Sequence, residues 1–395
     1  MSQSVNPPRG MRDFLPAEKV KREQLLSAAK SAYLDRGFQE IETPVLEELG
    51  RLQSGQGGDN EKLVFKVQKR GEEFSQALDA GAELADLGLR FDLTVPLTRY
   101  YATNQSKLPR VFKAIQTGPV FRAERPQKGR YRQFVQCDID IIGDSSSLAE
   151  LELLSASLAA LEAMGVKGAT IRVNHREVLK QAISSLGVTE QDSLSAMITI
   201  DKLDKIDIAG VCAELSEKFG EDVATKAQLW LADLGEAKVP AQLSYLFEAS
   251  FASSLRFDPT LVRGMGYYTG AIFEIEHPGS SSSIGGGGRY DGMVGKWLGT
   301  HVPAVGISLG IERIVDLVEL APSRKPGLVL LIDSELQAGT ALALQSQLTD
   351  SYRVRIEVRP KNLKALLGEL ASDFDFFASA VDVSDSSLLD IKKLS

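Results

Sequence analysis

Residues 119–140 read Pro119-Val120-Phe121-Arg122-Ala123-Glu124-Arg125-Pro126-Gln127-Lys128-Gly129-Arg130-Tyr131-Arg132-Gln133-Phe134-Val135-Gln136-Cys137-Asp138-Ile139-Asp140. Two apolar-rich runs, Ala114 to Arg122 and Gln133 to Ile142, flank a polar loop, the pattern of one long β-hairpin. Residues 122–132 hold Arg122, Arg125, Lys128, Arg130 and Arg132 against Glu124, a net charge of +4. A solvated hairpin tip can carry such charge without any function. Here Pro126 and Gly129 fix the loop's path, and the arginines suit planar two-point recognition of phosphate or carboxylate. A polyphosphate or an RNA backbone would both fit. On the return strand Asp138 and Asp140 alternate with Cys137 and Ile139, so the acids share one face. A buried carboxylate without a partner is costly, which favours acids turned to a ligand, with Cys137 and Ile139 packing behind.

Upstream, Leu25, Leu26, Ala29, Ala32 and Tyr33 recur at helical spacing within residues 16–36, with Pro16 at the entry and Gly37 at the exit. A strand at 38–43 ends at Pro44. Residues 51–62, rich in glycine, read as a mobile loop, and 63–67 and 89–95 read as strands. Downstream, a serine cap opens a helix with Leu148, Leu151, Leu154, Leu158 and Leu161 on one stripe, closed by Gly165. Residues 177–250 are rich in helix formers and predict an inserted helical segment. Strands return at 268–276 and 304–309, around the run Gly285-Gly286-Gly287-Gly288, which reads as a tight backbone passage beside a ligand. After a Pro- and Ser-containing linker, residues 327–395 follow a β-α-β-α-β pattern. The expected division is 1–176 and 251–322 for the two parts of a core, 177–250 for the insertion, and 327–395 for a small α/β domain.

Composition narrows the classes. The chain has 395 residues, 43% hydrophobic and 25% charged, as expected of a globular protein of more than one domain. No apolar run approaches the ~18 residues that would span a bilayer, and the start, Val5 to Asp13, does not read as a secretory signal. Cys137 and Cys212 cannot build a disulfide framework, and His175, His277 and His301 are scattered, so no metal site made by protein ligands alone is expected. A net charge of −8 argues against indiscriminate nucleic-acid binding but leaves room for one basic loop.

Two further constellations bear on chemistry. In Arg263-Gly264-Met265-Gly266-Tyr267-Tyr268-Thr269-Gly270, the glycines permit close backbone approach and the tyrosines offer oriented hydroxyls; an aromatic strand end packed in the core is the competing reading. In Val305 to Ile314 a strand meets a helix, where Arg313 and the helix start could share a phosphate, or Glu312 and Arg313 could be a surface pair. Neither the Walker nor the Rossmann glycine fingerprint is present.

The order of these motifs resembles the catalytic core of class II aminoacyl-tRNA synthetases, and in detail the histidyl-tRNA synthetase family. Pro7 to Pro16 is similar to that family's opening, 121–134 to its motif 2, 304–314 to its motif 3, and Arg263 to Thr269 and Gly286 to Gly292 to its two histidine signatures. Asp201-Lys202-Leu203-Asp204-Lys205 resembles a phrase of its inserted domain. The resemblance implies an α+β fold, with a six-stranded antiparallel sheet flanked by helices, a helical insertion and a C-terminal α/β domain that is a shortened form of an anticodon-binding one. It implies a homodimer joined near Pro44, with ATP, L-histidine and histidine tRNA as partners, Mg²⁺ bound with ATP, and a cytoplasmic location. By the same resemblance Arg122 and Arg263 are catalytic, on the α-phosphate. Arg122, Glu124 and Arg313 bind ATP. Asp92, Thr94, Arg122, Gln136, Asp140, Arg263, Tyr267 and Tyr268 bind histidine. Lys128, Arg130 and Arg132 are candidates for the tRNA acceptor end.

The pattern departs from the family at Gly266, where aspartate is usual, and in the tail, where 7 Lys and Arg face 10 Asp and Glu in residues 327–395. That is a poor field for RNA phosphate. The tail motivates an alternative from another class, a non-catalytic regulatory subunit of ATP phosphoribosyltransferase. Retention of Arg122, Arg130, Arg263 and Arg313 opposes it.

Overall fold

The computed structural model describes residues 5–53, 63–126, 130–263, 266–320, 324–380, 383 and 385–394. Most of the expected loop at 51–62, and Lys128, lie outside the described residues. The chain divides into two compact units, one of residues 1–14 and 22–318, the other of residues 15–21 and 319–395. Helix α1 spans Pro16–Leu34, followed by β1 (Gln39–Ile41), β2 (Leu46–Glu48) and α2 (Leu49–Gln53). Next come β3 (Lys66–Gln68), α3 (Gly71–Asp79), β4 (Ala85–Leu89), α4 (Thr94–Asn104) and the hairpin strands β5 (Phe112–Phe121) and β6 (Gln133–Ile142). α5 (Ser147–Ala163) and β7 (Thr170–His175) lead into α6 (Arg176–Ser185), α7 (Ser193–Ile200), α8 (Leu203–Phe219), α9 (Glu221–Ala232) and α10 (Ser244–Phe247). β8 (Leu255–Phe257), β9 (Ala271–Glu276), β10 (Gly285–Arg289), α11 (Asp291–Leu298), β11 (Ala304–Gly310) and α12 (Ile311–Val315) complete the first unit.

Eight strands form its main sheet, in the order β1-β5-β6-β11-β10-β9-β7-β8. The six inner strands pair antiparallel throughout. The outermost pairs, β1 with β5 and β7 with β8, are parallel. The sheet is therefore mixed, with the expected six antiparallel strands at its centre and two short parallel edges. Helix α5 packs on β6 and β11. The face behind the acids is dry: Cys137, Ile139 and Ile141 are fully buried. Helices α6 to α9 build their own core from Leu179, Ile183, Met197, Ile200, Val211, Leu215 and Leu231.

Four expectations need correction. Residues 89–95 are not a strand: β4 ends at Leu89 and α4 begins at Thr94, because Asp92 Oδ1 accepts the Val95 amide at 3.0 Å and so satisfies a free donor of the first turn. The strand read at 63–67 is a three-residue one shifted to Lys66–Gln68. The leucine stripe of α5 is buried only in part: Leu154 and Leu161 are buried, Leu148 is 56% exposed, and Ala149, Leu153, Ala156 and Ala160 share the buried face. The tetraglycine run, expected as a tight backbone passage between strands, is itself strand β10, held between β9 and β11. A Cβ on Gly287 would collide with the Gly306 carbonyl oxygen, and one on Gly285 would lie 2.7 Å from the Ser308 carbonyl. Glycine, a poor strand former, is selected here by space.

In the second unit, β12 (Gly327–Ile332), α13 (Ala338–Leu348), β13 (Arg353–Val358), α14 (Leu363–Leu370), β14 (Phe376–Ala380) and β15 (Lys392–Lys393) give a sheet ordered β13-β12-β14-β15. β12 runs parallel to both neighbours. Leu328 and Leu330 pack with Leu344 and Ala378 on one face, Val329 and Leu331 with Phe374 on the other, as a central parallel strand requires.

Candidate active site

Register across the sheet decides which side chains meet. On β6, Gln136, Asp138 and Asp140 stand opposite Gly310, Ser308 and Gly306 of β11. Ser308 and Gly306 in turn stand opposite Gly286 and Gly288 of β10. A row of acids and an amide therefore faces strands nearly bare of side chains, and a hollow opens above the glycines. Two cavities occupy it. The larger, about 130 Å³, is lined by Arg122, Glu124, Arg130, Tyr131, Phe134, Gln136, Arg263, Gly286, Ser308, Glu312 and Arg313, among others. The smaller, about 50 Å³, is lined by Asp92, Thr94, Asp138, Asp140, Tyr267, Tyr268, Tyr290 and Gly306. Both also touch Arg122, Gln136, Arg263, Gly286 and Ser308, so they are two chambers of one site.

The basic chamber is built from three distant stretches. Arg122, at the end of β5, donates from Nε to the Phe91 carbonyl at 2.9 Å, and its guanidinium lies 5.1 Å from the Phe134 ring centre. Arg263 pairs with Glu274 at 2.7 Å. Arg313 of α12 donates to the Ser283 carbonyl. Burial holds the Arg313 pKa below its ordinary value, and Arg130 and Arg122 push it further down by repulsion. An anion between these guanidiniums would relieve that repulsion. Glu312, beside Arg313, is turned inward: it accepts the Val135 amide at 2.8 Å, pairs with Arg22 at 3.5 Å, and is 4% exposed. The pair is not a surface ornament.

The acidic chamber has the opposite sign. Burial raises the Asp138 carboxyl well above the carboxylate range; neighbouring Asp140 adds to this and a bond with Ser308 offsets part. Burial likewise lifts Asp140 to about 7, against the hydrogen bond from the Tyr290 hydroxyl at 2.6 Å and with the nearby Asp92 charge. Tyr267 stands 4.7 Å from Tyr268 and 6.1 Å from Tyr290, ring centre to ring centre, forming an aromatic wall. Such a chamber suits a small ligand that brings its own positive charge and N–H donors.

The structure brings Asp92, Thr94, Arg122, Glu124, Arg130, Gln136, Asp140, Arg263, Tyr267, Tyr268 and Arg313 to this hollow. Arg132 lines neither chamber. Its Nε donates to the Glu124 carbonyl at 2.9 Å and its Nη1 to the Arg9 carbonyl at 3.4 Å, so it braces the loop against the opening segment. Asp138, expected to face a ligand but given no role, lines the site, and so do Tyr290 and Ser308, to which no site role was given. Ser308 needed the β6–β11 register. Arg90 carries a structural duty: buried, it donates to the carbonyls of Thr43 and Pro119 at 2.8 and 2.9 Å, fastening the Pro44 segment to β5.

Known proteins resemble this chain in sequence and fold. The family model described as histidyl-tRNA synthetase matches residues 10–314. A histidine–tRNA ligase of Leifsonia xyli is 48% identical, covering 100% of this chain and 99% of its own length. A probable histidine–tRNA ligase of Tropheryma whipplei is 39% identical over 91% of each. Among solved structures, a histidyl-tRNA synthetase from Nostoc sp. PCC 7120 superposes with a TM-score of 0.75 at 26% identity, over 99% of this chain and 95% of that one. A Bacillus halodurans protein titled as an ATP phosphoribosyltransferase regulatory subunit/histidyl-tRNA synthetase shares the fold, at 19% identity and a TM-score of 0.72 over 95% and 97%. With the family model matched over residues 10–314 and relatives at 48% and 39% identity along most of their length, the chain belongs to the histidyl-tRNA synthetase family.

Proposed function

We infer that the chain is a histidine–tRNA ligase, activating L-histidine with ATP and transferring it to the 3′ end of histidine tRNA. The observation that carries this reading is the contact of Arg122 and Arg263 with both chambers. A reaction joining a carboxylate to a phosphate needs cations at that junction.

In the first step a histidine carboxylate oxygen attacks the α-phosphorus and the bond to the bridging oxygen breaks, giving histidyl-adenylate and pyrophosphate. Negative charge grows on the α-phosphoryl oxygens and on the leaving group, so catalysis is positioning plus electrostatic stabilisation. Arg122 and Arg263 meet the α-phosphate, Arg313 the γ-phosphate, and Glu124 the adenine amine. Mg²⁺ enters with ATP as part of that substrate. Asp92 and Thr94 take the ammonium, Gln136 the carboxylate side, and Asp140 with Tyr267 and Tyr268 the imidazole. Paired polar groups around a ring with two nitrogens reject apolar analogues by roughly 10⁴ or more without editing. In the second step a terminal ribose hydroxyl of the tRNA attacks the acyl carbon and AMP leaves. Of the basic loop we keep Arg130 and Lys128 as contacts for the acceptor end, and read Arg132 as a brace.

We further propose a homodimer through the Pro44 region and a cytoplasmic location; among the described residues no helix is long and apolar enough to cross a membrane. Dilution to an active monomer would contradict the dimer. The regulatory-subunit reading gains no support from the relatives, which are named as ligases at 48% and 39% identity. Histidine-dependent exchange of labelled pyrophosphate into ATP tests the central claim. Exchange is expected, and its absence with folded protein, ATP, Mg²⁺ and histidine present would overturn it.

A further inference from the structure

Glu274 lies between two arginines, and neither the motifs nor the reaction accounts for it. Along the sheet the cross-strand register runs Asp138, Ser308, Gly286, Glu274, Arg172 through five neighbouring strands. The first three line the acidic chamber, and the last two lie beyond its rim. Position 286 has no side chain, and a Cβ there would stand 2.7 Å from the central carbon of the Arg263 guanidinium. That guanidinium therefore rests in the gap the glycine leaves. From it Nη1 reaches Glu274 Oε2 at 2.7 Å. The other carboxylate oxygen, Oε1, accepts from Arg172 Nη1 at 3.2 Å. Arg172 is itself anchored, to Asp258 at 2.6 Å, Glu276 at 2.9 Å and Asp204 at 3.1 Å, with 8% of its side chain exposed. Among the described residues Glu274 is the ion-pair partner of Arg263, whose Nε is buried without a hydrogen bond.

We infer that Glu274, held in turn by Arg172, is the positioning residue of Arg263, fixing its guanidinium over Gly286 before substrate arrives. The inference rests on reading the hollow as the site of histidine activation. A free arginine side chain samples many rotamers, and ordering it costs conformational entropy. An arginine already ordered meets developing charge without reorganisation. The bridge needs a carboxylate. Both of its oxygens accept, one from each guanidinium, whereas an amide would turn N–H donors toward one of the two donors. Asp258 and Glu276 on the far side hold Arg172, and through it the Glu274 carboxylate, in place.

The test compares Glu274→Gln, Arg263→Ala and the double variant with the full-length wild type in histidine-dependent pyrophosphate exchange, with thermal unfolding recorded for each. Arg263→Ala is expected to lose about 10²- to 10³-fold. Glu274→Gln should lower kcat roughly ten- to hundredfold while KM for ATP and histidine stays within about threefold, because it leaves the binding contacts in place. The double variant should be no slower than Arg263→Ala alone, since a residue acting through Arg263 has nothing left to act on. Losses that multiply in the double variant would overturn the inference, as would a Glu274→Gln enzyme at wild-type rate beside a slow Arg263→Ala. A wild-type rate in Arg263→Ala would instead sink the reading of the site itself. If Glu274→Gln fails to fold, Glu274→Asp carries the test: it keeps the charge for Arg172 but draws the carboxylate back by about one C–C bond, ~1.5 Å. A fall in kcat without a rise in KM is again expected, and an unchanged kcat would overturn it.

Discussion

Asp140 joins two opposing demands in one carboxyl. On the function proposed above it offers an acceptor to the ring of a bound amino acid, yet it is 3% exposed. Burial and the nearby Asp92 raise its folded-state pKa to about 7, and the Tyr290 hydroxyl offsets only part of that. In the unfolded chain the same group ionises near ~4. Between those values the fold holds the extra proton. The stabilisation from this group is therefore full below about pH 4 and is lost as pH climbs toward 7. Asp140→Asn should accordingly raise the melting temperature by a few degrees at pH 8 and by less at pH 5.5, as scanning fluorimetry would record. The same variant should raise KM for histidine about ten- to hundredfold, the range for losing a bond to a charged group. An unchanged KM in steady-state exchange would remove Asp140 from the binding pocket. Much at this scale was legible beforehand, because alternation put Asp138 and Asp140 on one face. The Tyr290 contact was not, since Tyr290 lies 150 residues further along and only the strand order brings it near.

Strand β10 is the element on which the site depends. Its four glycines run between β9 and β11, and side chains at these positions would meet carbonyls or Arg263. Gly287→Ala should destabilise the protein by about 1–3 kcal/mol or more, the usual range for overpacking a tight interior. A lowered urea midpoint with an unchanged m-value would register it, whereas a wild-type midpoint would mean that the strands can part more easily than their spacing implies. Sequence reasoning identified the run as a close passage but not as a strand, because propensity argues against glycine where packing demands it. The leucine stripe of α5 was right at Leu154 and Leu161, which are buried, and wrong at Leu148, which sits at the exposed start of the helix. Glu150, on the helix's buried face, joins Arg289 at 2.6 Å. Breaking such a pair by Glu150→Ala should cost about 3–5 kcal/mol, again measurable by denaturant titration; a loss under 1 kcal/mol would show that Asp144, Ser146 and Asp291 hold Arg289 unaided.

At the scale of the whole chain, every residue lining the two chambers falls between Asp92 and Arg313, within the first unit. The second unit is small and has its own two-faced core, and its residues 327–395 carry 7 Lys and Arg against 10 Asp and Glu. Removal of residues 327–395 should leave pyrophosphate exchange within about threefold and raise KM for tRNA by less than a hundredfold, since a net negative tail gathers few phosphates. A hundredfold rise in aminoacylation assays with the fold intact would refute the minor role given to the tail. The order of the motifs announced the antiparallel centre of the sheet from the sequence. The parallel edges formed by β1 and β8 were not announced, because three-residue strands carry too little pattern to reveal their partners. One consequence of the glycine strand reaches past stability. Part of the acidic chamber's lining is peptide backbone, at Gly286, Gly287 and Gly306, where a Cβ would meet Arg263, the Gly306 carbonyl and Asp140. With the amino acid bound there as proposed, any drift toward a different one would have to proceed through the surrounding walls, the carboxylates and tyrosines, while this stretch stays immune to tinkering.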